Sequence, residues 1–162
     1  MVDFSKGRTI EDFYVGERFQ TATFTLDEEA LLSFSQMYDP QPLHTNKEYA
    51  KEGPFGELIA SGIQTLAISI RLFIEMGFFN GTCLSGPAID DILFSQPVKV
   101  GDTIRCQVTV IEARNSRKSN NKGILRTSYR VFNQNSVVVL SHKVTTIMST
   151  KPIINEEIDN SG

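Results

Sequence analysis

Apolar and polar positions change rhythm twice along this chain. From Glu17 to Thr25 the apolar contributors Phe19, Ala22 and Phe24 sit among polar residues without clean alternation, which predicts a first strand after the Phe13 to Gly16 turn. Between Asp27 and Tyr38 the spacing is helical: Ala30, Leu31, Phe34 and Met37 recur three and four residues apart. Asp27 is placed to cap that helix, and Glu28 and Glu29 complement its positive end. Pro40 disfavours helical backbone at Asp39, so the helix should stop at Tyr38. The segment Asp39-Pro40-Gln41-Pro42-Leu43-His44 holds two prolines, which fix backbone angles and remove amide donors. A stiff loop is expected there, neither regular helix nor central strand. Asn46 can cap a short helix reaching Glu52, which Gly53-Pro54-Phe55-Gly56 ends.

Ser61 and Gly62 precede a long helical segment, Ile63 to Met76. Ile63, Leu66, Ala67, Ile70, Phe73 and Ile74 form its expected apolar face, and so apolar a helix should be wrapped by other structure. From Ser85 onward the period becomes that of strands. Ala88 to Phe94 is one; Pro97 to Asp102 is a turn; Ile104, Cys106, Val108 and Val110 then alternate with polar residues, giving one buried and one wet face. Asn115 to Lys122 reads as a hairpin loop before Ile124 to Phe132, and a turn at Asn133-Gln134-Asn135 leads to Val137 to Met148. This order predicts an α+β domain in which a curled antiparallel sheet wraps around a long central helix.

The chain of 162 residues, 40% of them hydrophobic, suffices for one core, so residues 1–150 are expected to form a single domain and 151–162 a polar, mobile tail. The net charge of −3, with basic residues scattered apart from Arg114, Arg117 and Lys118, argues against nucleic acid as a partner. That basic group reads as a solvated hairpin. No stretch approaches the roughly 20 apolar residues that cross a bilayer, and Met1 to Asp12 lacks an apolar run of signal-peptide length. A cytoplasmic protein without membrane insertion is the expectation. Cys83 and Cys106 lie far apart and belong to no His/Cys cluster, so both are read as free core thiols and no metal site is expected. His142, between Ser141 and Lys143, is read as a surface or interface residue.

The candidate chemistry lies before the long helix. Asp39 and His44, joined by a proline-stiffened turn, can share one water, and histidine is suited to moving its proton because its unperturbed pKa is about 6.5. Read alone, the same residues also suit a helix-end turn and a satisfied polar histidine. At Ser61-Gly62 the amides of a helix N-terminus can donate to an oxyanion, or Ser61 can simply cap the helix while Gly62 permits close packing.

Phe34-Ser35-Gln36-Met37-Tyr38-Asp39-Pro40-Gln41-Pro42-Leu43-His44-Thr45-Asn46, then Ala50, then Ile59-Ala60-Ser61-Gly62, then Pro97-Val98-Lys99-Val100-Gly101-Asp102 together resemble the MaoC-like dehydratase family, which includes the (R)-specific enoyl-CoA hydratases. The resemblance spans roughly residues 10 to 148. It implies a hotdog fold, acyl-CoA or acyl-carrier-protein thioesters as substrates, no metal or other cofactor, and addition or removal of water at an enoyl double bond. By this resemblance Asp39 and His44 hold the water, and the Gly62 amide, with Ser61 beside it, polarises the thioester carbonyl. Gln41 stands where the family has asparagine and Tyr38 where the better-known hydratases have glycine, so both are expected to alter the surroundings of the pair. Leu66, Ile70, Phe73, Phe78 and Phe79 are candidates for an acyl tunnel or for plain core. Two alternatives stand beside the hydro-lyase: a thioesterase, against which the Asp-to-His loop argues, and a binding protein without turnover, against which the joint presence of Asp39, His44 and Gly62 argues. A sheet wrapped on one helix leaves edge strands for a partner, so a homodimer is expected.

Overall fold

The computed structural model describes residues 3–153. Six antiparallel strands form the sheet: β1 (Arg18–Gln20), β2 (Phe24–Thr25), β3 (Cys83–Phe94), β4 (Thr103–Asn115), β5 (Lys122–Phe132) and β6 (Val138–Ser149). Their order is β1-β4-β5-β6-β3, with β2 paired to the other end of β4. The α-helices among the described residues are α1 (Glu28–Tyr38), α2 (Pro42–Thr45), α3 (Lys47–Glu52) and α4 (Gly62–Ile74). α4 lies against the concave face of the sheet: the Phe73 and Tyr129 rings meet edge to face at 5.7 Å, and Ser69 Oγ is 2.9 Å from His142 Nε2. This is the hotdog arrangement, a sheet curled around one helix. No helix among the described residues is long and apolar enough to cross a membrane.

Alternation builds the core. Ile104, Cys106, Val108 and Val110 of β4 are fully buried, and Leu125, Thr127, Tyr129 and Val131 of β5 answer them on the same face. Asp27 caps α1 by accepting the Ala30 amide at 2.7 Å, and Asn46 caps α3 through the Tyr49 amide at 3.0 Å. The helices therefore begin and end where their caps and prolines require.

Several expectations are corrected. The first strand is two short ones: at Thr21 the amide still donates to the Cys106 carbonyl at 3.0 Å, but the side-chain hydroxyl, not the backbone carbonyl, accepts the Cys106 amide at 2.9 Å. The Asp39 to His44 loop contains one helical turn, α2, since Pro42 opens it where no amide partner is needed. The buried face of α4 is Gln64, Thr65, Ile68, Ser69, Leu72 and Phe73, whereas Ile63 and Ile74 are about half exposed. Gln64 Nε2 donates to the Ala30 carbonyl at 2.8 Å and Ser69 Oγ to that of Leu66 at 2.7 Å, while Gln64 Oε1 has no partner among the described residues. His142 is buried, not on the surface, and stacks on Tyr129 at 4.3 Å between ring centroids. β6 turns its even-numbered residues toward α4, so Ser141 and Lys143 face the other way. Cys83 is exposed and only Cys106 is a core thiol, whose pKa burial pushes up to about 12. Residues 154–162 of the expected tail lie outside the described residues, and Ile153 is tied to the domain by its amide, which donates to the Gly81 carbonyl at 2.7 Å.

Candidate active site

α1 stops at Tyr38, and Asp39, with φ −152°, turns the chain away while its amide still donates to the Ser35 carbonyl at 2.9 Å. The Gln41 carbonyl then accepts the His44 amide at 2.9 Å and the Thr45 hydroxyl at 3.0 Å, closing α2 and turning the His44 side chain inward, where it is 7% exposed. Its Nδ1 lies 2.8 Å from the Ile59 carbonyl oxygen, which can only accept, so Nδ1 carries the proton. The neutral ring therefore presents a bare Nε2, 3.4 Å from Asp39 Oδ2. The neighbouring residue anchors this support to the connection between β3 and β4, since the Ala60 amide donates to the Val98 carbonyl at 2.8 Å.

Both carboxylate oxygens of Asp39 have donors. Ser61 Oγ donates to Oδ2 at 2.6 Å and Gln41 Nε2 to Oδ1 at 2.8 Å. These bonds, that of Ser61 foremost, favour the charged form and hold the Asp39 carboxyl below its ordinary value. Ser61 is also the N-cap of α4, its Oγ accepting the Ile63 amide at 3.3 Å. Gly62 opens the helix, where an amide has no partner within the helix itself.

These groups face a cavity of about 460 Å³, within the range of small-molecule sites. Of the residues singled out from the sequence, Asp39, Gln41, His44, Ser61 and Gly62 line it together. Tyr38 does not; it is exposed and packs its ring on Phe34 at 5.0 Å. Nor do Leu66, Ile70, Phe73, Phe78 and Phe79: Phe73 and Phe78 belong to an aromatic cluster with Phe13 and Phe19 in the core. Arg114, Arg117 and Lys118 sit by the β4–β5 hairpin, at the opposite end of the strands from the cavity wall at Val139. The sequence reading did not single out the apolar lining residues Phe55, Phe94 and Val139, which come from three separated segments. Phe55 follows Pro54 in a turn, whereas Phe94 ends β3 and Val139 lies in β6, and no local signal marked either as a cavity wall.

A carboxylate and a bare imidazole nitrogen 3.4 Å apart are two acceptors facing one another, which one water can satisfy by giving a proton to each. The helix N-terminus opposite supplies a donor for an oxygen that becomes negative. The geometry suits proton transfer to and from water beside a polarised carbonyl.

Fold and cavity together define a hotdog protein with an Asp/His pair at the start of its central helix. Residues 12–130 match the MaoC-like domain family, and the chain belongs to it. YdeM of Bacillus subtilis, itself uncharacterised, is 32% identical over 139 residues, which is 86% of this chain and 97% of that protein. The 3-hydroxyacyl-thioester dehydratase Z of Mycobacterium tuberculosis is 34% identical over 85 residues, 52% of this chain and 56% of the relative, so the chain matches only about half that enzyme's length. Among solved structures, the MaoC-like dehydratase from Rhodospirillum rubrum superposes with a TM-score of 0.81 at 29% identity, covering 90% of this chain and 99% of that one.

Proposed function

We propose that this protein adds water to, or removes it from, the double bond of an enoyl thioester carried on coenzyme A or an acyl carrier protein. The observation that carries the reading is the fixed tautomer of His44: the Ile59 carbonyl holds Nδ1–H at 2.8 Å, so Nε2 is a ready base 3.4 Å from a carboxylate kept ionised by Ser61 and Gln41. Family membership, and a relative that dehydrates 3-hydroxyacyl thioesters, support the same chemistry.

In hydration, a water held between His44 Nε2 and Asp39 Oδ2 gives one proton to Nε2 as its oxygen bonds to the β carbon. The electron pair of the double bond moves onto the thioester carbonyl, whose oxygen accepts from the Gly62 amide. The Asp39 carboxylate stabilises the imidazolium next to it, and His44 returns the proton to the α carbon. Dehydration is the reverse. No proton is required of Asp39, which fits a carboxyl held below its ordinary value.

We also propose that the protein acts as a homodimer. All twelve positions of β3 are exposed or half-buried, and they include Leu84, Ile89, Ile92, Leu93 and Phe94 on an edge that pairs with β6 alone. Ile63 and Ile74 extend that apolar surface along α4. Sedimentation velocity should give a species of twice the chain mass; a monomer at micromolar concentration overturns this part.

The test of the chemistry is the loss of conjugated thioester absorbance with crotonyl-CoA and longer enoyl-CoAs, with free thiol assayed in parallel, in the wild type, Asp39→Asn and His44→Ala. Hydration that both variants lose without thiol release is the expected result. Thiol release would make the protein a thioesterase, and silence on every chain length would leave a binding protein.

A further inference from the structure

Resting on the acyl-thioester reading above, we infer that Phe94 is a specificity-determining residue that limits the length of the acyl chain the cavity accepts. β3 carries a fault in its pairing with β6. Along the β3–β6 pair, Ile89 stands opposite Val144 and Asp90 opposite Lys143, but Leu93 stands opposite Ser141 and Phe94 opposite Leu140. β3 thus spends three steps, from Asp90 to Leu93, where β6 spends two. The extra residue is a bulge, and Asp91 takes the left-handed backbone it requires, with φ 52°.

One inserted residue exchanges the two faces of everything beyond it. Leu140 and His142 of β6 are buried and face α4, so Ile89, paired with Val144 on that same alternation, faces inward before the bulge. Without the bulge the inward positions would continue as Asp91 and Leu93. With it, Leu93 turns outward and Phe94 turns toward the start of α4. Two ion pairs hold the fault in place: Lys143 Nζ lies 2.6 Å from Asp91 Oδ2, and Arg126 Nη2 contacts both Asp90 oxygens, at 3.0 and 3.2 Å.

The ring that the bulge aims inward meets Gly62. A Cβ on Gly62 would stand 2.8 Å from Phe94 Cε1 and Cζ, so the absence of a side chain there is what lets the ring lie against the helix end. Phe94 is nevertheless 50% exposed, and its ring lines the same cavity as Asp39 and His44. A half-exposed phenylalanine held in this place adds little to the core. It does narrow the space next to the amide proposed to hold the thioester carbonyl, together with Phe55, Ile63 and Val139. Apolar walls offer nothing to the amides of a pantetheine arm, so the part of the substrate they suit is the acyl chain.

The inference is tested with saturated acyl-CoAs, which bind without reacting. Calorimetric affinities for butyryl-, hexanoyl- and octanoyl-CoA are compared in the wild type, Phe94→Leu and Phe94→Ala. The wild type should lose at least about tenfold in affinity from the shortest to the longest chain, the order of discrimination that one surplus methylene in a filled apolar pocket produces. That loss should shrink in Phe94→Leu and vanish in Phe94→Ala; if the alanine variant does not fold by circular dichroism, the leucine variant decides. A wild type that binds all three chains equally, or a loss that survives both substitutions, overturns the role of Phe94 while leaving the thioester site standing. Failure of the wild type to bind any of them removes the acyl-thioester reading itself, and the inference with it.

Discussion

Ser61 Oγ lies 2.6 Å from Asp39 Oδ2, and the same hydroxyl accepts the Ile63 amide at 3.3 Å at the start of α4. One side chain thus joins the carboxylate to the helix end that carries Gly62. Ser61→Ala breaks both contacts at once. Loss of the cap costs ~1 kcal/mol of stability, and loss of a hydrogen bond to a charged group costs ~1.5–3 kcal/mol of its stabilisation. Asp39 then rises toward its ordinary value of 3.8, so the pH at which its carboxyl titrates, followed by NMR, should move up. An unmoved Asp39 titration, with only a lower melting temperature, would reduce Ser61 to a helix cap. The associated stability follows the same sign: a carboxyl lowered in the folded state contributes above its unfolded value and loses that contribution as pH falls through the folded one.

Gln41 acts on the other oxygen of Asp39, through Nε2 at 2.8 Å. Gln41→Glu replaces this donor with a second carboxylate, so two like charges compete for one site and the Asp39 pKa should rise. The titration of Asp39 is expected to move up further than in Ser61→Ala. Gln41→Asn keeps a donor that is one methylene shorter and should fall between this variant and the wild type. Equal titrations for Gln41→Glu and Gln41→Asn would show that Gln41 does not act through Asp39.

A separate clamp fixes the entry of the chain. The Arg8 guanidinium lies 4.5 Å from the centroid of Phe78 and 5.4 Å from those of Phe13 and Phe19, and its Nη1 is 2.7 Å from Glu17 Oε1. The Glu17 side chain is only 10% exposed, and its Oε2 has no partner among the described residues. Arg8→Met should leave an uncompensated carboxylate under the aromatic rings and destabilise by ~2–3 kcal/mol, toward the lower end for a broken buried pair because Arg8 is partly exposed. The double variant Arg8→Met/Glu17→Gln should recover much of that loss in chemical denaturation. Additive losses would show that the two side chains do not interact.

The parts of this architecture that are local in sequence were legible there. Asp27, Asn46 and Pro40 act on their immediate neighbours, and β4 alternates because one face is dry, so both signals can be read from a short window. The pair Asp39 and His44 lies within a single loop, and the resemblance joined it to Ser61 and Gly62. α4 was different: with Ile, Leu or Ala at most positions its periodicity cannot choose a face, and the choice fell to the sheet, which packs against Ser69 and Thr65. Phe94 was hidden for another reason. Its direction depends on one extra residue in β3 relative to β6, a property of strand pairing that no single stretch of sequence displays.

His142 gives the last prediction. Its Nε2 is 2.9 Å from Ser69 Oγ, whose proton goes to the Leu66 carbonyl, so Nε2–H is the donor and Nδ1 is left bare, with no partner among the described residues. Charging this ring would place a cation in the core against Tyr129, and burial pushes its pKa down to about 4 from 6.5. Between these two values the unfolded chain binds a proton that the folded protein refuses. Stability is therefore full above pH 6.5 and declines as pH falls toward 4. The difference in pKa corresponds to roughly 3 kcal/mol at most. His142→Phe keeps an aromatic ring on Tyr129 but cannot take up a proton. Urea midpoints at neutral pH and near pH 4.5 should show a steeper acid loss in the wild type than in His142→Phe, with hydration activity at neutral pH retained by the variant. Parallel losses in the two proteins would mean that the acid sensitivity lies in the carboxylates and that His142 opens to solvent before it titrates.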